Sequence, residues 1–175
     1  MSTRSDPARV RRERPDDVPA VRRVNEAAFG RAVEADLVDA LRDRGTATLS
    51  LVAVLQDRVV GHILFSPVTI ESGGEVTASL GLGPMAVLPA HQRQGIGRLL
   101  VRAGIEECRR AGHGGVVVVG HPEYYSRFGF VLASRLGLVW EHPAPDEAFM
   151  ALELRDGALP RPSGIVRYQP EFGGV

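Results

Sequence analysis

A chain of 175 residues is the size of one domain and can bury roughly two-thirds of the surface its unfolded form exposes, so it needs no cross-links to hold a core. It is 44% hydrophobic and 24% charged, and its 21 basic and 21 acidic residues cancel, leaving no net charge to draw it to nucleic acid or to a membrane surface. There is no apolar run of about 18 residues and no signal-peptide core, and the single cysteine, Cys108, excludes an internal disulfide; a soluble, cytoplasmic protein without nucleic-acid or membrane partners is expected.

In chain order, residues 1–8 are small and polar and read as a disordered lead-in. Residues 9–14 (RVRRER) read as a first strand with exposed arginines; as a nucleic-acid arm they are too few, and Asp16 and Asp17 follow at once. An aspartate cap, Pro19 in the first turn, and Val18, Val21, Val24 and Ala28 at helical spacing predict a first helix. Val33, Leu37 and Leu41 predict a second over about 32–44, ended by Gly45. Three strands then follow as an antiparallel meander, over 49–55, 59–70 and 77–87, with turns at 56–58 and 71–74. Gly81, Gly83 and Pro84 inside the third predict a bulge or a close approach by a ligand. A helix over about 95–111 presents Ile96, Leu100, Gly104 and Cys108 on one face. Val116 to Val119 is apolar throughout, as in a strand buried on both faces and parallel to its neighbour. A short helix over about 122–127 and strands near 131–140 and 149–154 complete a domain over 9–155, and residues 156–175 read as an ordered tail or loop. The fold class is α/β (α+β), a mixed, mostly antiparallel sheet of about seven strands with helices on both faces.

The stretch from Met85 to Arg98 carries the chemistry. A strand ends, the chain turns, and a helix begins with two glycines close together. The first N–H groups of a helix lack partners and, with the helix dipole, suit phosphate oxygens. Gly95 and Gly97 remove side chains that would hold a pyrophosphate off, and Arg93 and Arg98 add charge. A Walker loop is excluded because the chain has no lysine, and a dinucleotide fingerprint fails because Leu100 stands where a third glycine is required. Gly81 to Ala86 fits the looser G-x-G-x-x-A form but lies within a strand, and Pro84 and Pro89 oppose a helix there.

Gln92-Arg93-Gln94-Gly95-Ile96-Gly97 resembles the [QR]-x-x-G-x-[GA] signature of the GNAT superfamily of acyl-CoA N-acyltransferases. The element order resembles that fold throughout, and Tyr125 to Phe130 (YSRFGF) resembles the family's short helix and following Gly-Phe turn. The stretch from Leu82 to Phe130 is similar to a bacterial subgroup of predicted N-acetyltransferases, and 157–172 fits the same subgroup. The resemblance implies transfer of the acetyl group of acetyl-CoA to a primary amine by direct attack, with no metal. It places the pantetheine arm along Met85, Ala86 and Val87, the Met85 amide near the thioester oxygen, and the pyrophosphate on Gln92, Arg93, Gln94, Gly95, Ile96, Gly97 and Arg98. It makes Tyr125 the proton donor to the leaving thiolate, ahead of its neighbour Tyr124.

The base stays open. His121 follows the apolar strand and has suitable chemistry, but reads equally as a turn residue before Pro122; Glu123 reads as a first-turn helix acid. His62, Leu64 and Ser66 share one strand face, with His62 either lining the acceptor pocket or satisfied in the core. Cys108 reads as core, and the five histidines show no metal-ligand spacing. Phe29 and Glu34 are expected to border the acceptor site. The rival reading is a non-catalytic module that binds or senses acyl-CoA. Neither the acceptor, a small molecule or a peptide, nor homodimer formation is fixed by the sequence.

Overall fold

The computed structural model describes residues 7–143 and 145–174. The expected lead-in lies outside the described residues except for Pro7 and Ala8. After β1 (Arg9–Arg12) come helices α1 (Val18–Phe29) and α2 (Val33–Asp43), then the meander β2 (Leu49–Leu55), β3 (Arg58–Ser72) and β4 (Glu75–Val87). Helix α3 (Ile96–Arg110) crosses to β5 (Gly115–Val119), followed by the single-turn α4 (Pro122–Tyr125), β6 (Val131–Leu132), β7 (Leu138–Trp140), β8 (Phe149–Glu153) and β9 (Gly164–Arg167).

The strands form one sheet in the order β1-β2-β3-β4-β5-β8-β6, with β9 pairing both β3 and β7. Among the described residues the sheet has nine strands, two more than the roughly seven expected. The stretch 131–140 is two strands, because a 3₁₀ turn over Ala133–Leu136 and the left-handed Gly137 (φ 71°) break it. The tail supplies the other: β9 lies antiparallel to Thr69–Glu71 of β3 and parallel to β7.

Alternation along the strands divides the core. Ile63 and Phe65 face α3 and pack with Leu51, Leu82, Val116 and Val118 against Leu100, Ile105 and Cys108. Val52 and Leu64 face the other way, onto Val21, Leu37, Val38 and Leu41 of α1 and α2. Each such side chain contributes about 1.5–3 kcal/mol by leaving water. Val117 belongs to a third cluster with Val68, Ile70, Phe149 and Val166, so β5 is covered on both faces as its composition requires. On α3, Gly104 leaves room for the Phe65 ring, whose Cε2 would lie 2.4 Å from an added Cβ.

Two features of the sheet position the site. The β3–β4 register shifts between Ile63 and Phe65, opposite Gly83 and Pro84, which is the expected bulge. Beyond it β4 leaves β5: the parallel pairing covers only Leu80–Leu82 against Val116–Val118. The last residues of β4 therefore have β3 on one side and an open gap on the other.

Candidate active site

The loop after β4 is shaped by its own residues. Gln92 donates its side-chain amide to the Val87 carbonyl (3.0 Å), and Gln94 to that of Ala90 (3.2 Å), so both glutamines fold the loop back on itself. Arg93 (φ 61°) and Gly95 (φ 83°) are left-handed. At Gly95 conformation demands glycine, since an added Cβ would meet nothing within 4 Å. At Gly97 space demands it: a Cβ would stand 2.9 Å from the Tyr124 hydroxyl and 3.5 Å from the Met85 methyl carbon. Leu99 N–H is bonded to the Gly95 carbonyl (3.1 Å), so the amides of Ile96, Gly97 and Arg98 precede the first i−4 acceptor and point out of the helix end.

The open edge of β4 lies beside this helix end. Leu88 N–H reaches Val60 of β3 (2.9 Å), and by alternation Ala86 also faces β3 while Met85 and Val87 face the gap. The Val87 carbonyl is already taken by Gln92, which leaves the Met85 N–H and C=O and the Val87 N–H free of that contact. A groove of about 820 Å³ runs here, lined by Met85 to Val87, Gly95, Gly97, Arg98, His121 and Tyr124. The groove offers open backbone groups to an extended chain, and helix-end amides with arginines to anionic groups.

On the other side of Met85 lies a cavity of about 320 Å³, bordered by Phe29, Glu34, Pro84, Tyr125, Trp140, Tyr168 and Phe172 among others. Tyr125 is buried, edge-on to Tyr124 (5.1 Å between centroids) and Phe130 (5.6 Å). Burial, and secondarily its neighbour Tyr124, pushes its phenol well above the usual tyrosine range, so it keeps its proton. Glu34 is buried and held by Arg31, whose Nε lies 3.0 and 3.1 Å from the two carboxylate oxygens. The Tyr168 hydroxyl and Trp140 Nε1 are buried with no partner among the described residues. The Tyr168 ring lies on Gly81, where an added Cβ would stand 2.6 Å from it. The close approach expected at Gly81 is thus made by the chain's own tail.

The two adjacent tyrosines are separated: Tyr125 borders the cavity, while Tyr124 borders the groove over Gly97. His121 is exposed and lines the groove rather than the cavity, and its carbonyl accepts the Tyr124 and Tyr125 amides (3.1 Å each). Glu123 is exposed in the first turn of α4. Phe29 and Glu34 both border the cavity.

His62 is fully buried in a chain of hydrogen bonds away from the groove. Ser50 donates to Glu13, so His62 Nε2–H donates to Ser50 (2.9 Å) and Nδ1 accepts from Asn25 (3.1 Å). It is a satisfied core histidine, and burial pushes its pKa below the ordinary value. Burial acts to raise Glu13, but the His62 ring, the Ser50 hydroxyl and Arg42 outweigh it and hold the carboxyl at about 2. Cys108 is core, its thiol pushed up to about 12 by burial. Among the described residues no group of three or more metal-ligating side chains occurs, and no helix is long and apolar enough to cross a membrane.

Sequence reasoning missed Trp140, Tyr168 and Phe172. Their signal was weak: Trp140 reads as the end of a strand, and Tyr168 and Phe172 lie in a Gly- and Pro-rich end of the chain.

A mixed sheet that splays after a bulge, with a phosphate-type loop beside the open edge, defines the acyl-CoA N-acyltransferase class. A family model described as an acetyltransferase (GNAT) domain matches residues 9–133, and the chain belongs to that family. It is similar to the uncharacterized N-acetyltransferase YhbS of Escherichia coli, 37% identical over 164 residues that cover 93% of this chain and 97% of the relative. It is 41% identical over 136 residues to the uncharacterized N-acetyltransferase YjhQ of the same species, covering 75% of this chain and 74% of the relative. The crystal structure of Escherichia coli YhbS in complex with CoA superposes with a TM-score of 0.89, covering 97% of this chain and 95% of that one. A GNAT family acetyltransferase from Brucella melitensis in complex with acetyl-CoA, 40% identical, superposes at 0.78 over 95% of this chain and 98% of that one. The protein is an acetyl-CoA-dependent N-acetyltransferase.

Proposed function

We propose that the chain acetylates a small primary amine with an apolar body, by direct attack on the thioester and with no acyl-enzyme. The observation that carries this reading is the cavity on the far side of Met85 from the groove, mostly apolar and containing one carboxylate, that of Glu34. A donor laid along the groove would bring its acyl carbon to Met85, between the groove and the cavity, so that two reactants meet without a covalent relay.

In this reading the Met85 N–H, on the open edge of β4, donates to the carbonyl oxygen as negative charge develops there. Tyr125 donates its hydroxyl proton toward the departing sulfur, and the proton that the acylated nitrogen sheds as the C–S bond breaks restores the phenol. Its raised pKa means that the hydrogen bond to the thiolate does most of the stabilising, and complete transfer comes late. Glu34 attracts the ammonium into the cavity and takes its proton before attack; His121 borders the groove and is the alternative base. Phe29, Trp140 and Phe172 hold the apolar body.

The test is turnover of acetyl-CoA with a panel of small aliphatic and aryl-alkyl primary amines, with a peptide bearing a free N-terminus as control. Turnover of the small amines is expected, with Tyr125→Phe lowering kcat roughly 100-fold at little change in acetyl-CoA affinity. A Tyr125→Phe rate within about twofold of wild type would remove Tyr125 from the reaction. Turnover of the peptide alone would refute the small-amine acceptor.

A further inference from the structure

The cavity beyond Met85 holds two polar groups that the reaction described above does not use. Strands β7 and β9 run parallel with Trp140 opposite Val166, so Trp140 and Tyr168, two residues past Val166, come together at the same end of the sheet. Their rings meet edge to face, 5.6 Å between centroids, and both residues line the cavity. Neighbours fix both rings. Tyr168 lies on Gly81, with Phe172 edge-on at 5.0 Å, and Gln169 just after it donates to the Pro67 carbonyl (2.9 Å). Phe149 stacks on Trp140 at 6.4 Å.

Buried N–H and O–H groups in folded proteins nearly always have partners. Trp140 Nε1 and the Tyr168 hydroxyl have none among the described residues. Two other neutral side chains, Asn25 and Ser66, carry such an atom, and neither lines the cavity. Trp140 and Tyr168 are set apart by standing side by side on the cavity wall.

Their chemistry is that of donors. An indole N–H can only donate, and burial keeps the Tyr168 phenol protonated, so it donates as well. A carbonyl oxygen has two lone pairs, enough for both. Charge narrows the choice further. Glu34 is the one charged side chain among the described residues lining the cavity, and Arg31, which holds it, does not line the wall. A carboxylate on the acceptor would share the cavity with like charge and meet no cation there, so the oxygen belongs to a neutral group.

We infer that the acceptor is a primary amine bearing a neutral carbonyl oxygen, as in an amino amide, and that Trp140 Nε1–H and the Tyr168 hydroxyl bind this oxygen and select for it. The inference rests on the reading of the cavity as the acceptor site, and adds a polar end to the apolar body. The ammonium goes to Glu34 and the carbonyl to the Trp140–Tyr168 pair. An amine with no oxygen leaves both donors unmet, and a site built to hydrogen-bond a substrate group discriminates against the analogue that lacks it.

The test is kcat/KM at saturating acetyl-CoA for three series of ω-amino compounds matched in chain length: primary carboxamides, the corresponding carboxylates, and alkylamines. Wild type, Tyr168→Phe and Trp140→Phe are compared. At the chain length that spans the two ends of the cavity, wild type is expected to prefer the carboxamide to both others by roughly tenfold or more. Each variant should narrow the ratio of carboxamide to alkylamine. A role confined to packing would scale both substrates alike and leave that ratio as it was. A carboxamide no better than the alkylamine at every length overturns the inference and leaves the two donors to trapped water. A preference for the carboxylate overturns it too, as does an unchanged ratio in both variants. Turnover of none of the three series refutes the small-amine reading itself, and this inference falls with it.

Discussion

Gly97 and Tyr168 illustrate how single residues divide binding from stability. Gly97 lies under the Tyr124 hydroxyl and the Met85 methyl carbon, at the helix end where phosphate is expected. Gly97→Asp adds bulk and negative charge there, and should abolish detectable coenzyme A binding while leaving a folded chain; retained affinity, measured by calorimetry, would contradict the loop assignment. Tyr168 carries a buried hydroxyl without a partner among the described residues, and such a group costs about 1–3 kcal/mol. Tyr168→Phe should therefore leave thermal stability equal or raised, and lower turnover of any amine whose oxygen or nitrogen meets that hydroxyl in the cavity; a lower melting temperature would mean the hydroxyl is satisfied. The start of α3 that carries Gly95 and Gly97 and the short helix that carries Tyr125 were legible in the sequence because local spacing sets these elements. Tyr168, Trp140 and Phe172 were not, because they reach the cavity only through the pairing of β9 with β3 and β7. The fate of His62 was open for a similar reason: its partners Ser50 and Asn25 come from β2 and α1.

At the scale of elements, α3 both carries the loop and covers the sheet, so its seating on β3 affects the site. Gly104→Ala would place a methyl group 2.4 Å from the Phe65 ring carbon. Overpacking of this kind costs about 1–3 kcal/mol, a fall in melting temperature of roughly 3–10 °C. A melting temperature unchanged from wild type would show that the helix rides farther from the sheet than described. The meander and the α3 crossover were legible because their apolar runs and the helical period of α3 are separated by turn signals. β9 was hidden because it is four residues long and starts on a glycine between Pro162 and Pro170, and its pattern of buried Gly164 and Val166 with exposed Ile165 and Arg167 is too short to separate from a loop. The break between β6 and β7 depends on Gly137, which packs against the Pro162 carbonyl, a contact no local pattern reveals.

Across the whole molecule, the acid limb of the stability curve follows from Glu13 and His62. The folded carboxyl is held at about 2 against an ordinary 4.5, and the folded ring below its ordinary 6.5. In each window the unfolded chain binds the proton that the folded chain refuses, so stability falls as pH falls, first below about 6.5 through His62 and then below about 4.5 through Glu13. Glu13→Gln should flatten the lower part of that limb, seen as melting temperature against pH; a wild-type curve level from neutral pH to pH 4 would contradict the assignment.

The central claim is that the open edge of β4 and the start of α3 together hold acetyl-CoA. Thermal unfolding with acetyl-CoA, coenzyme A, NAD and ATP tests it most directly. A ligand at 100 times its Kd adds about 2.7 kcal/mol, a rise of roughly 5–10 °C for a chain of this size. The account predicts that rise with acetyl-CoA and coenzyme A and none with NAD or ATP. No rise at millimolar acetyl-CoA would contradict it.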